Sequence, residues 1–220
     1  MARVIAPKVN WLLPVLLLAL SAVPIIVGVA RLTWLAGGVI RPDSGRFASM
    51  PVPLALHILS IVVFGCLGAF MFTPSLRRRW PNWHRAAGRV LAPTGLIAAS
   101  TGLWMTLYYP PGADDGPALF VLRLVFGSAM AVSLLCGLVA IRRRAFAEHG
   151  AWMLRGYAIG MGAGTQVFTT AVWLLLIGPT HEMSRAATMG AGWVINLALA
   201  EWILARRLTA SKLNPVSSQT

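Results

Sequence analysis

Charged residues fall in clusters along the chain, and long stretches without polar alternation run between them. Six such stretches stand out: Trp11 to Ala30, Pro51 to Phe72, Val90 to Tyr109, Ala118 to Ile141, Gly156 to Gly178 and Ala186 to Ala205. Each is near the roughly 20 apolar residues a helix needs to cross about 30 Å of hydrocarbon. Strands of a membrane barrel would be shorter and would alternate apolar with polar positions. The runs are continuous, so the pattern predicts an all-α integral membrane bundle of six transmembrane helices. No polar tract is long enough to separate folding units, and residues 1–220 read as one transmembrane domain.

Composition agrees with the pattern. Hydrophobic residues make up 57% of the chain and charged residues 11%, and mean hydropathy is +0.72. A soluble domain of this length does not have that balance. There is no glycine-rich phosphate loop after a strand, no nucleotide fold and no soluble catalytic domain, so any chemistry takes place within or between the helices. Cys66 and Cys136 lie inside the second and fourth segments and read as small core residues, too few for a zinc or iron-sulfur site.

The net charge of +13 changes the picture only when it is placed along the chain. With a cytoplasmic N-terminus, the inner side holds Arg3, Lys8, Arg77, Arg78, Arg79, Arg85, Arg89, Arg142, Arg143, Arg144, Arg155, Arg206, Arg207 and Lys212. The outer side holds Arg31, Arg41, Arg46 and Arg185, with Arg123 one or two turns into the fourth segment. Fourteen against four is the positive-inside bias of a membrane protein with both termini cytoplasmic. The excess is a topology signal and an attraction to anionic lipids, and nucleic-acid binding is not expected. The first segment follows Arg3 and Lys8 as a secretory signal would, but its apolar core is long for one, and it reads as a retained helix.

One spelling occurs twice. Arg77-Arg78-Arg79 is followed five residues later by His84, and Arg142-Arg143-Arg144 is followed five residues later by His149. Each triplet closes one apolar run and each histidine opens the next. Segments two and three with their basic hinge therefore resemble segments four and five with theirs. A pseudo-twofold axis along the membrane normal would bring His84 and His149 face to face. Two neutral imidazoles from different helices are the ligand set of a b-type haem, with Arg85, Arg89 and Arg155 within reach of its propionates or of lipid phosphates. Gly88 and Gly156 would leave room for a flat macrocycle. The bland reading is that these basic residues and histidines snorkel to the interface and contact lipid.

His57 lies inside the second segment, where an imidazole is costly without a partner, and is a candidate ligand or a histidine satisfied by a neighbouring helix. His181, in the last outer loop, is within reach of it only from above. Glu201 reads as an intramembrane ion pair with Arg89 or Arg155. Arg123 is expected to reach the outer interface or to pair with Asp114 or Asp115.

The run His84-Arg85-Ala86-Ala87-Gly88-Arg89, the run from His149 to Ala158, the intramembrane His57 and the closing Glu201-Trp202-Ile203 resemble a bacterial family of predicted membrane proteins, domain of unknown function 2306. The likeness runs from about Leu54 to Ile203. More remotely, helix number and histidine placement are similar to the six-helix diheme cytochrome b superfamily of transmembrane reductases, in which helix two pairs with four and helix three with five. That resemblance implies an inner haem site at His84 and His149 and a ligand role for His57. Helix four lacks a histidine, so an outer site would need His181 or a methionine such as Met105. The expectation is a multi-pass inner-membrane protein binding haem b and passing electrons to an unknown redox partner, with no metal beyond haem iron. The alternative is a non-enzymatic component, a small transporter or a structural subunit. Membrane lipids are expected partners, and a homo-oligomer is compatible with the sequence.

Overall fold

The structure, a computed structural model, describes residues 11–38, 47 and 49–213, with side chains to residue 209. Arg3, Lys8, Arg41, Arg46 and the Lys212 side chain, which enter the charge count above, lie outside the described residues. The described chain is helical: α1 (Leu12–Ala36), α2 (Pro51–Met71), α3 (Pro74–Arg79), α4 (Pro81–Tyr108), α5 (Pro117–Arg142), α6 (Phe146–Gly160), α7 (Gly162–Leu176) and α8 (Glu182–Leu213). Five of these are long and apolar enough to cross a membrane, and α6 with α7, bent by 42° at Met161, would make a sixth if the pair is one span.

Local chemistry explains where the elements begin and end. Pro51, Pro74, Pro81 and Pro117 open α2 to α5. Proline suits that position because its ring presets helical φ and its missing N–H would have no partner there. Arg144 ends α5 in the left-handed region at φ 59°, and Ala145 N–H closes the turn on the Ala140 carbonyl at 3.0 Å. Gly178, at φ +118°, ends α7, with its N–H 3.2 Å from the Trp173 carbonyl. These closures satisfy carbonyls that the helix leaves without partners.

Two expectations about boundaries are corrected, and one element is added. The third segment starts at Pro81 rather than Val90, because Arg85 and Arg89 are carried inside the helix with long side chains that reach out of it. The fifth segment, expected as one run from Gly156 to Gly178, is two helices starting at Phe146. The break falls in Gly160-Met161-Gly162-Ala163-Gly164, where three glycines within five residues weaken helix continuity. The short α3 had no counterpart in the hydropathy pattern.

Around the bundle, α1 packs on α2, α2 on α4, α4 on α5, α5 on α8, α8 on α7, and α7 back on α1. The remaining helix, α6, packs on α5 and α8 and also touches α2 and α4, so it lies inside that ring. The ring has a basic end, where Arg77 to Arg79 close α3 and Arg142 to Arg144 follow α5, and a far end. In the half near the basic end, α6 fills the centre: Phe64, Leu91, Leu134, Met153 and Tyr157 form a buried cluster. Small residues permit the close approach. A Cβ at Gly68 would lie 2.1 Å from Tyr157 Cε2, and one at Gly95 would lie 2.4 Å from Phe64 Cε2. Tyr157 donates its hydroxyl hydrogen to the Gly65 carbonyl at 3.0 Å, a buried bond from α6 to α2. Outward faces are apolar: Leu175 and Leu176 are 84% and 79% exposed, a presentation suited to lipid rather than water.

At Met161 the bend carries α7 out against α1 and α8. The far half of the bundle therefore loses the central helix that fills the other half.

Candidate functional site

That geometry leaves a cavity of about 850 Å³ in the far half. Its walls come from α1, α2, α4, α5 and α8, and Ile159, Gly160, Met161, Ala163 and Gly164 of the bend form part of its lining. Most of the lining is apolar, including Phe64, Met105, Met130 and Trp193, and the polar groups are few. Cavities of this size, apolar with a few placed polar groups and set between helices of a bundle, are the usual form of small-molecule sites.

His57 is one of those groups. Its Nδ1 lies 2.9 Å from the Ala98 carbonyl and 3.2 Å from Thr101 Oγ1, both on α4. A carbonyl oxygen only accepts, so Nδ1 carries the hydrogen and donates it. The ring reaches α4 because residue 102 is glycine: a Cβ there would be 3.3 Å from His57 Cε1. Nε2 has no partner among the described residues, and the ring to which it belongs lines the cavity. Gln166, from α7, is buried in the same lining and donates to the Met189 carbonyl at 3.0 Å.

At the far end the cavity is bordered by Arg31, Asp115 and Arg123. Asp115, in the α4–α5 connection and 4% exposed, accepts from Arg123 Nη1 and Nη2 at 2.9 and 3.1 Å and from Arg185 Nε at 3.0 Å. The Gly112 N–H adds a bond of 3.1 Å. Of the two adjacent aspartates, the structure thus selects Asp115 for Arg123 and adds Arg185 from α8. Arg31 lies over the Phe47 ring at 5.7 Å. Tyr109, also at this end, donates its hydroxyl hydrogen to the Met50 carbonyl, and burial pushes its phenol above the usual range, which keeps it a neutral donor.

The two hinge histidines are elsewhere. His84 is in the first turn of α4 and His149 in the first turn of α6, both at the basic end. His149 Nδ1 donates to the Gly137 carbonyl at 2.9 Å, which leaves Nε2 as the ring's lone pair. His84 Nδ1 is buried without a partner among the described residues. Neither imidazole lines the 850 Å³ cavity. Gly156 is closely packed, since a Cβ there would be 2.9 Å from Leu134 Cδ2, whereas one at Gly88 would make only ordinary contact, 3.4 Å from Met71 Cε.

The remaining candidates are dispersed. Arg85 donates to Asn82 Oδ1, and Arg89 is exposed. Arg155 grips Glu201 with Nε at 2.5 Å and Nη2 at 2.9 Å and lies over the Trp152 ring at 4.8 Å. His181 is exposed at the start of α8, where its backbone N–H bonds Ser184 Oγ at 2.7 Å. It does not line the cavity that holds His57, whereas Met105 does. Among the described residues no three of His, Cys, Asp or Glu converge as a metal site.

The cavity, Gly102, and the Asp115 pairing with Arg185 were not read from the sequence. The glycine run at 160–164 was the available signal for the bend; contacts across 41 and 70 residues leave none.

A sequence profile of the predicted membrane protein family DUF2306 matches residues 54–204, more than half of the chain. No curated protein and no solved structure matches it.

Proposed function

The chain belongs to the DUF2306 family of predicted membrane proteins, and from that starting point we propose that it takes an amphiphilic, mainly apolar small molecule into the far-half cavity, as a carrier or receptor. The observation that carries this reading is the 850 Å³ volume, largely apolar, with His57 held in its wall. Orientation follows from arginine placement: among the described residues, Arg77–79, Arg85, Arg89, Arg142–144, Arg155 and Arg206–207 lie toward one end, and Arg31, Arg123 and Arg185 toward the other. The positive-inside rule then supports a cytoplasmic (inner) membrane location with cytoplasmic termini and the cavity in the outer half. The test is native mass spectrometry of protein purified in mild detergent, looking for bound lipophilic molecules. Thr106→Trp, which places an indole in the cavity from a half-buried lining position, is expected to abolish the bound mass. An unchanged adduct in that variant refutes the reading.

A second reading rests on placement: His84 and His149 both stand in the first turns of their helices at the basic end, and His149 keeps a lone pair on Nε2. The imidazoles suit axial ligation of haem b for electron transfer, with Arg85 and Arg89 nearby. The close Leu134 contact at Gly156 leaves little room for a macrocycle on that side, and this reading takes second place. A dithionite-reduced minus oxidised spectrum decides it: sharp α and Soret bands lost in both His84→Ala and His149→Ala would restore it to first.

A further inference from the structure

The wall of the cavity says what its occupant must carry. His57 gives its only ring hydrogen to the Ala98 carbonyl, with Thr101 Oγ1 as a second acceptor at 3.2 Å. Thr101 offers it no hydrogen in return, because its hydroxyl donates to the Ile97 and Ala98 carbonyls at 2.6 and 3.1 Å. Among the described residues an imidazolium here would have no counter-ion of its own: Asp115, the acidic side chain in the lining, is already held by Arg123 and Arg185. The ring is therefore neutral, with a lone pair on Nε2, in surroundings where an unmatched polar group is costly. The Nδ1 bond and the contact at Gly102 fix the ring before any ligand arrives.

We infer that the occupant is a hydroxyl-bearing apolar molecule, a phenol, quinol or long-chain alcohol, whose O–H donates to His57 Nε2. This deepens the proposed function and rests on it. An ether or a hydrocarbon of the same shape would leave Nε2 unmet, and a site built to hydrogen-bond a hydroxyl discriminates against the analogue lacking it.

The test uses the full chain in nanodiscs and a matched pair of probes, 4-nonylphenol and its methyl ether, with dissociation constants from native mass spectrometry. Wild type is expected to bind the phenol about tenfold more tightly than the ether. His57→Phe is expected to bring the ratio near one while the ether's affinity holds. His57→Gln, which retains an acceptor, is expected to recover part of the preference. Equal binding of both probes to wild type, abolished by Thr106→Trp, overturns the hydroxyl inference and leaves the cavity reading standing. If neither probe binds wild type, both fall. The wild-type comparison decides the inference even where a His57 variant fails to fold.

Discussion

Asp115→Asn is the perturbation that most directly tests how the far end is assembled. The native carboxylate, 4% exposed, meets guanidinium groups from α5 and α8 at 2.9 to 3.1 Å and caps a turn at Gly112. Asparagine keeps one acceptor and turns the other toward the arginines as a donor, so the charge and part of the bonding are lost together. Breaking a buried ion pair costs about 3–5 kcal/mol. Here the Arg123 and Arg185 side chains keep 26% and 37% of their surface, and water recovers part of that, which leaves about 2 kcal/mol. For a chain of this length that is a fall in Tm of roughly 4–8 °C. The free thiols of Cys66 and Cys136 are half-buried in the bundle, so a thiol-reactive fluorogenic maleimide reports unfolding in detergent. Arg185→Gln should cost less in the Asp115→Asn background than alone, because the two groups interact. A Tm shift below about 1 °C, with Arg185→Gln costing the same in both backgrounds, would refute the reasoning.

Other perturbations separate the packing from the site. Gly68→Ala places a methyl 2.1 Å from the Tyr157 ring, and the expected loss is about 1–3 kcal/mol by the same thermal assay. Tyr157→Phe removes the bond to the Gly65 carbonyl and should cost about 1 kcal/mol. Gly178→Ala forces a side chain into φ +118°, with an expected cost of about 1–2 kcal/mol and no effect on probe binding. Thr106→Trp is expected to keep its thermal stability near wild type while losing ligand, measured by both assays on one preparation.

The histidines show how far a sequence can be read. His84 and His149 announce themselves by repeated spelling, and the fold does place both in the first turns of their helices at the basic end. A glycine near a histidine has two readings in sequence, a cradle for a cofactor or a notch for a neighbouring helix, and for Gly156 the Leu134 side chain lies where the second requires it. His57 was visible as an intramembrane imidazole, but the identity of its partner was not. His181 was a candidate for it by loop position alone, and the partner proved to be the Ala98 carbonyl on α4.

Glu201 and Asp115 make the same point with charge. A lone carboxylate within a transmembrane segment demands a cation, and Arg89 and Arg155 were both within sequence reach. The structure takes Arg155, whose guanidinium meets both Glu201 oxygens, and leaves Arg89 exposed. Asp114 and Asp115 are chemically alike and adjacent, and which of them faces Arg123 is a matter of the turn's direction.

Membership of a membrane, helical class and the starts of α1, α2 and α5 were legible in the sequence, since they rest on local properties: unbroken apolar length and clustered charge. The angle at Met161 was decided by tertiary structure, because three nearby glycines permit a bend without setting its direction. Packing of α7 against α1 and α8 sets that direction. From it follow the hollow in the far half and the company His57 keeps.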